Sequence, residues 1–283
     1  MTVRLSCADY TWPSLGHPTV LAVIADLGFT GVDIGVFGDA THVTVPSVVA
    51  DPFRRAGEVR ALVDTAGLEV ADVFLTSSLE LGRVTPTSRV GDDVAELRHT
   101  FRSTVEFAAR LGAPGVTLLP GVIADGQSQS EAIALAAEGL SALVDIGGEH
   151  GLGVSVEPHF GSCIETPEAT AELLDACPGL TVTLDPSHFI YLGCSTERMA
   201  TLAGRTRHVQ IRPGGPGVMQ CKVPDNEIDL DLLLRALQAV GYDGWVASEY
   251  VWMEKWRCDE VDNTAESKRL GELLGTLVAE IFP

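Results

Sequence analysis

The chain has 283 residues, of which 46% are hydrophobic and 20% are charged, and its formal net charge is −20. This composition is that of a globular protein with one large core or two small ones, and it excludes a disordered chain. A surface with so much negative charge repels phosphate backbones and anionic lipids, so we expect neither nucleic acids nor membranes as partners.

The cysteines and the N-terminal segment predict an intracellular protein. None of the six cysteines forms a CxxC pair, and a chain of this length does not need disulfides for stability. The first ten residues, MTVRLSCADY, lack the apolar core of a secretory signal. No apolar run approaches the roughly 20 residues that span a bilayer. We therefore expect a soluble cytoplasmic protein with reduced thiols.

Short apolar, β-rich runs alternate with segments of helical period along the whole chain. One clear helix is predicted within 93–112, where apolar residues recur every three or four positions and Gly112 supplies the stop. Eight runs are predicted as strands, and in chain order they are VRLSCA (3–8), GVDIGV (31–36), VADVFL (70–75), GVTLLP (115–120), GVSVEP (153–158), LTVTLD (180–185), HVQIRP (208–213) and GWVASE (244–249).

Eight strands that alternate with helices, without a Pro/Gly/Ser-rich linker, predict an α/β fold. The specific prediction is a single (β/α)8 TIM barrel over residues 1–283. A doubly wound open sheet is the competing architecture. Such a sheet usually carries a glycine-rich phosphate loop after its first strand, and the segment DYTWPSLGHP (9–18) is not one.

Three of the last four predicted strands end in an acidic residue. These residues are Glu157, Asp185 and Glu249, while the seventh strand carries Gln210 and Arg212 instead. Active residues of parallel barrels lie at the carboxyl ends of the strands, so these side chains are expected to converge on one mouth. A single acid after a strand is more often a helix N-cap, a role that Asp185 also fits, but three acids in four strands favour a shared site.

Three converging carboxylates need a positive partner. Burial of each one unpaired costs on the order of several kcal/mol, and Arg212 alone is not sufficient compensation. One divalent cation held by Glu157, Asp185, Glu249 and the amide oxygen of Gln210 meets this need. Such an oxygen-rich site favours Mn²⁺, with Mg²⁺, Co²⁺ and Zn²⁺ as alternatives.

The second half of the chain resembles the xylose isomerase-like TIM-barrel superfamily of sugar isomerases and epimerases, which also contains the family 2 AP endonucleases. The resemblance is specific within 153–250 and architectural before that. It is carried by VSVEPH (154–159), TVTLDPSHF (181–189), HVQIR (208–212) and IDLDLLLRALQAVGYDGWVASEY (228–250).

The resemblance implies a ligand set with one departure. In the ketose epimerases of this superfamily, acids at the ends of strands five, six and eight and a histidine of strand seven bind one divalent metal. By position, these acids are Glu157, Asp185 and Glu249. Gln210 stands where the superfamily's ligand is usually the second histidine of a His-x-His pair. The first histidine of that pair, His208, is expected to be a hydrogen-bonded core residue.

The resemblance also implies proton abstraction next to a carbonyl, through an enediolate, on a keto sugar or a related hydroxy-ketone. In the epimerases, the two metal-binding glutamates face opposite sides of the substrate carbon, and these catalytic roles fall to Glu157 and Glu249. His159 is a further candidate base. His188 is a candidate for catalysis and for substrate binding, and Arg212 is assigned to substrate oxygens rather than to the framework.

Aromatic residues near the predicted mouth suit a sugar or glycoside substrate. Tyr10 and Trp12 follow the first strand and are assigned to the substrate, because aromatic rings can cover its apolar face. Trp252 and Trp256 follow the last strand, in a long loop that equally suits contact with another subunit.

Other functions stay open. A lyase could use the same acidified C–H of a 3-oxo-glycoside to expel the C1 substituent, and Gln210 and His159 keep this alternative close. Superfamily relatives that cleave C-glycosides in this way work with a smaller partner subunit, so we expect a homo-oligomer or a hetero-oligomer with a small subunit.

A non-catalytic barrel subunit would not need stoichiometric metal. An AP endonuclease would need more histidine ligands and a basic face, which seven histidines and a charge of −20 do not provide.

Overall fold

The computed structural model describes residues 3–38, 41–77 and 84–283. The predicted domain, 1–283, also includes residues 1–2, 39–40 and 78–83, which lie outside the described residues. All eight predicted strands are confirmed, with small differences at their ends. These barrel strands, β1 to β8, are Arg4–Ala8, Gly31–Phe37, Glu69–Leu75, Gly115–Leu118, Gly153–Val156, Leu180–Leu184, Thr206–Ile211 and Trp245–Ser248.

The eight strands form a closed parallel barrel. Each strand pairs in parallel with its neighbours in chain order, and β1 pairs with both β2 and β8. At this seam Ser6 lies opposite Gly31 on one side and Ala247 on the other. The predicted (β/α)8 barrel is therefore confirmed. A two-residue strand that was not predicted, Val43–Thr44, pairs with the end of β2.

Helices follow the strands around the barrel. Gly112 ends the helix predicted within 93–112: its φ is 72° and its N–H donates to the carbonyls of Ala108 and Ala109. In the described residues no helix is both long and apolar enough to cross a membrane. The ten α-helices of the described residues, α1 to α10, are His17–Asp26, Val45–Ala50, Pro52–Ala66, Gly91–Leu111, Gln129–Glu149, Pro167–Ala176, Pro186–Tyr191, Thr196–Ala200, Leu230–Ala239 and Asn263–Ile281.

A buried ion pair occupies the barrel near the amino ends of its strands. Arg207 of β7 donates from Nη2 to Asp72 Oδ1 at 2.8 Å and from Nε to Ser155 Oγ at 2.6 Å. Two glycines make room for this side chain. A Cβ on Gly115 would lie 2.6 Å from Arg207 Cζ, and one on Gly153 would lie 2.5 Å from Arg207 Cδ. The first residues of β4 and β5 are thus glycines because the arginine passes between them.

Candidate active site and metal centre

The three acids predicted to converge do so at the carboxyl ends of β5, β6 and β8. One carboxylate oxygen from each of Glu157, Asp185 and Glu249 lies within 4.8 Å of the other two, and all three side chains are buried. Each acid comes directly after the last residue of its strand. Since parallel strands of a barrel end at the same face, strand direction alone brings the three carboxylates to one mouth.

Burial and mutual repulsion raise the pKa values of the two glutamates of this cluster. Burial is the main cause that raises the pKa of Glu157 well above its ordinary value, and the charges of Glu249 and Asp185 raise it further. Burial also raises the pKa of Glu249 to about 8, against the lowering effect of Arg212. Both groups hold a proton more readily than they would in water, so a cation placed between them would bind in exchange for protons.

Two of the four proposed ligands carry an oxygen that accepts no hydrogen bond from the described residues. These buried atoms are Gln210 Oε1 and Glu249 Oε2. Gln210 Nε2 donates to Tyr10 Oη at 2.9 Å, and Tyr10 Oη donates to Glu249 Oε1 at 2.8 Å. These two hydrogen bonds hold the amide nitrogen of Gln210 on Tyr10 and leave the amide oxygen without a donor among the described residues. Buried acceptors without donors are costly unless something positive binds them, so the four residues fit a divalent cation.

Asp185 caps a helix as well as joining the acidic cluster. Its Oδ1 accepts from the backbone N–H of Ser187 at 2.7 Å, and its Oδ2 accepts from Ser187 Oγ at 2.8 Å, at the start of α7. The helix-capping role that its sequence position suits is therefore confirmed. Each carboxylate oxygen has two lone pairs, so Oδ1 keeps one for a further ligand.

Arg212 contacts the framework as well as the cavity. Its Nη2 donates to Asp185 Oδ2 at 2.9 Å and lies 4.0 Å from Glu249 Oε2. Nε and Nη2 also donate to Ser187 Oγ at 3.1 and 2.9 Å. The sequence assigns this arginine to substrate oxygens rather than to the framework. We revise that division of roles, because the buried guanidinium lines the cavity and also neutralises part of the acidic cluster.

His159 and His188 form a second cluster that shares Glu157. One nitrogen of each ring and one Glu157 oxygen lie within 4.8 Å of one another, and the ring centroids are 4.1 Å apart. His159 Nδ1 lies 2.5 Å from the carbonyl oxygen of Phe160, so Nδ1 carries the proton and Nε2 the lone pair. Burial lowers the pKa of His159 to about 4. Burial is also the main cause that holds the pKa of His188 well below its ordinary value. Both rings are therefore neutral near pH 7.

Glu157, Glu249 and both histidines line a cavity of about 380 Å³. In the same lining, Tyr10, Phe37 and Phe74 pack ring against ring with centroids 4.9 to 6.2 Å apart. The cavity thus joins a charged wall, which can orient a polyhydroxylated group, to a mostly apolar one. The apolar residues of the lining are Pro13, Phe37, Phe74, Leu119, Val251, Trp252, Met253 and Trp256.

Of the two aromatic residues assigned to the substrate, Tyr10 lines the cavity and Trp12 does not. The indole N–H of Trp12 donates to Thr264 Oγ1 at 2.9 Å, and its ring packs against the main core. We therefore correct the assignment of Trp12, which ties the loop after β1 to the start of α10. Trp252 and Trp256 supply the indole rings of the cavity instead.

The sequence reasoning missed Asp33 of β2, which lies next to the proposed ligands. Its Oδ2 lies 2.6 Å from His208 Nε2 and 3.5 Å from Gln210 Nε2, and its Oδ1 accepts from Ser6 Oγ at 2.8 Å. The prediction that His208 is a hydrogen-bonded core residue is confirmed. The available signal for Asp33 was an acid inside the apolar run GVDIGV, since a buried strand rarely carries a charge without a buried partner.

A curated protein of similar sequence is named as an isomerase. The 2-oxo-tetronate isomerase of Pectobacterium atrosepticum is 26% identical to this chain over an alignment of 253 residues, and the alignment covers 82% of this chain and 89% of that protein. The family model described as the xylose isomerase-like TIM barrel matches residues 21–272.

Solved structures show the same fold. A D-tagatose 3-epimerase-like protein superposes with a TM-score of 0.76 at 18% identity, over 99% of this chain and 100% of that one. The IOLI protein, solved with a bound zinc atom, also has a TM-score of 0.76 at 18% identity, over 99% of both chains. With a closed parallel barrel, three acids at the mouth and a family model that matches nearly the whole sequence, the chain belongs to the xylose isomerase-like TIM barrels.

Proposed function

We propose that the protein is a divalent-metal-dependent isomerase or epimerase that acts on a keto sugar or a related hydroxy-ketone. The observation that carries this proposal is the cluster of three buried carboxylates at the mouth of the barrel, together with the unengaged oxygens of Glu249 and Gln210. The isomerase of Pectobacterium and the epimerase-like solved structure support the reaction class, and the bound zinc of the IOLI protein supports a metal.

Glu157, Asp185, Gln210 and Glu249 would hold the cation. When bound there, it would polarise the substrate carbonyl and the neighbouring hydroxyl, and so acidify the C–H beside the carbonyl. We favour Mn²⁺ because all four residues offer oxygen, and Mg²⁺, Co²⁺ and Zn²⁺ are the other ions for this site.

The remaining chemistry belongs to side chains of this protein. Glu157 takes the proton from the substrate carbon, and Glu249 returns a proton to the opposite face in an epimerisation. Glu249 is suited to this exchange because Tyr10 holds only its Oε1 and leaves Oε2 unengaged. His188 and Arg212 line the same cavity and hold the substrate oxygens.

Removal of the metal tests this proposal directly. Dialysis against a chelator is expected to abolish turnover of 2-oxo-tetronates and ketoses, and Mn²⁺ is expected to restore it. Metal content per chain and circular dichroism, measured on the same samples, separate loss of the ion from loss of the fold. Full turnover by a folded, metal-free protein would contradict the proposal, and a folded protein that never takes up stoichiometric metal would favour a non-catalytic barrel subunit.

A second candidate function is a metal-dependent lyase that acts on 3-oxo-glycosides and works with a smaller partner subunit. Two observations favour it. His159 presents a neutral ring with its Nε2 lone pair beside Glu157, a base that a two-glutamate epimerase does not need. The apolar wall of the cavity can cover an aglycone. In this reaction a base removes the C2 proton beside the 3-oxo group, a C1–C2 double bond forms, and the C1 substituent leaves with its bonding electrons and takes up a proton.

The variant Gln210→His distinguishes the two candidates. Imidazole is a stronger donor than an amide oxygen and is the usual ligand of the superfamily at this position, so metal affinity is expected to stay the same or rise. Isomerisation is expected to continue. Affinity is measured by competition with a chelator, and the exposed variant Gln238→His on α9 serves as the control. If the variant retains the metal but no longer isomerises its substrate, the lyase becomes the favoured function.

A further inference from the structure

The lysines of this acidic chain are few and unevenly placed. The chain has only Lys222, Lys255 and Lys268. Lys268 forms an ion pair with Glu272 one turn further along α10. In the described part of the chain, neither of the other two ammonium groups lies within 4.0 Å of a carboxylate oxygen, and both side chains are exposed. Two of the three lysines are therefore not committed to an acid of the fold.

These two lysines line the same groove, which adjoins the active-site cavity. The groove has a volume of about 460 Å³. Lys255 and Trp256 line both the groove and the cavity, so the two spaces share a wall. A substrate that reaches out of the cavity past this wall meets the groove.

The other charges of the groove almost cancel. Arg257 pairs with Glu260 through two hydrogen bonds of 2.8 Å each. Asp225 is the remaining acid of the lining. The lining thus carries two lysines, unpaired among the described residues, against one aspartate on a protein whose net charge is −20, while Asp225, Glu227 and Glu266 act together on Cys221 of the same groove. The two ammonium groups, rather than the groove as a whole, are therefore what can attract an anion to a surface that otherwise repels it.

Trp256 connects the groove to the reacting end of the cavity. The Lys255 Nζ lies 4.9 Å from the centroid of the Trp256 ring, a cation–π distance that keeps the ammonium over the indole. The Trp256 ring centroid also lies 6.1 Å from that of His159. The ring is thus near both the histidine cluster and the ammonium, and an extended six-carbon sugar acid or sugar phosphate is long enough to contact both.

We propose that this groove binds an anionic group, a carboxylate or a phosphate, at the end of the substrate remote from the acidic cluster. The proposal rests on the proposed function and names its substrate class as hydroxy-keto acids or sugar phosphates rather than neutral ketoses. Lys255 contacts the anion first, because it borders the cavity, and Lys222 completes the site from the far side of the groove.

Three matched ligands test the anion site without turnover. Metal-loaded protein is titrated calorimetrically with a six-carbon polyhydroxy acid, with the corresponding polyol monophosphate and with the neutral polyol. Lys255→Met is expected to weaken binding of the preferred anion by about fivefold, and the double variant Lys222→Met/Lys255→Met by about tenfold or more, as for exposed charge contacts. Binding of the polyol is expected to stay the same. The anion that loses more affinity identifies carboxylate or phosphate as the natural group.

Methionine is unbranched like lysine and lacks its terminal ammonium group, so these substitutions remove mainly the charge. Lys268→Met changes the net charge equally but lies on α10, and it is expected to leave all three affinities unchanged. The proposal is overturned if wild-type protein binds the polyol as tightly as both anions, or if Lys255→Met behaves like Lys268→Met.

Turnover then separates the two proposals. If the protein isomerises neutral ketoses but not acids or phosphates, the anion site is wrong and the proposed function stands. If Lys255-dependent anion binding is observed but no member of the three substrate classes is isomerised, the anion site stands and the proposed function is wrong.

Discussion

The variant Glu157→Gln is expected to lower kcat by about 10³-fold at saturating Mn²⁺. Glutamine has the size and shape of glutamate, so the cavity keeps its form, but an amide cannot accept the substrate proton. A positioned general base contributes typically about 10² to 10⁴ in rate, and Glu157 is the acid that both side-chain clusters of the site share. The substitution also removes one negative charge from the proposed ligand set, so the experiment must be run across a range of metal concentrations.

The control for this variant is Glu149→Gln, which makes the same change of charge on α5. Glu149 is exposed and pairs with Arg102 at 3.0 Å on the surface, so its loss is expected to leave kcat unchanged. Recovery of wild-type kcat by Glu157→Gln at high Mn²⁺ would mean that Glu157 acts only as a ligand, and our assignment of the base would then be wrong.

The variant Asp72→Ala is expected to lower the free energy of unfolding by about 3 kcal/mol or more. Asp72 is fully buried and Arg207 is 15% exposed, so removal of the carboxylate leaves a guanidinium with little access to water. Breaking a buried ion pair by removal of one partner costs about 3 to 5 kcal/mol. Arg207 cannot simply move aside, because the backbones of Gly115 and Gly153 surround its side chain. Urea unfolding measures this difference.

A second arginine in the same segment provides a matched control. Arg205 pairs with Asp175 at 2.9 Å, nearly the same distance as the buried pair, but the two side chains are 44% and 73% exposed. Asp175→Ala is expected to cost no more than about 1 kcal/mol. Equal losses for Asp72→Ala and Asp175→Ala would show that burial does not decide the stability of the Arg207 pair.

Features that depend on one strand at a time could be predicted from the sequence. Apolar runs bounded by glycine and proline located all eight barrel strands, and the acid at the end of a run located Glu157, Asp185 and Glu249. Alternation along β7 placed His208 and Gln210 on one side of the strand, and both are buried with polar partners.

Features that depend on pairs of distant strands could not be predicted. Asp33 meets His208 across 175 residues of sequence, and Arg207 meets Asp72 across 135. The stagger between strands determines which side chains come into contact, and the alternation of residues within one strand contains no information about that stagger. The assignment of Trp12 to the substrate was wrong for a related reason. Its position after β1 was predicted correctly, but the direction of its ring depends on α10, which lies near the other end of the sequence.

The hydrogen bond between Tyr10 and Glu249 spans 239 residues and joins the loop after β1 to the end of β8. These two strands are also the pair that closes the barrel. During synthesis, therefore, the centre cannot assemble while β8 is still missing, however well the first seven strands are folded. Any ion held by Glu157 and Glu249 binds only the closed form, so by mass action it stabilises the seam against opening. An ion bound by the proposed ligands would therefore be taken up only after the barrel closes, and it would hold the two ends of the sheet together.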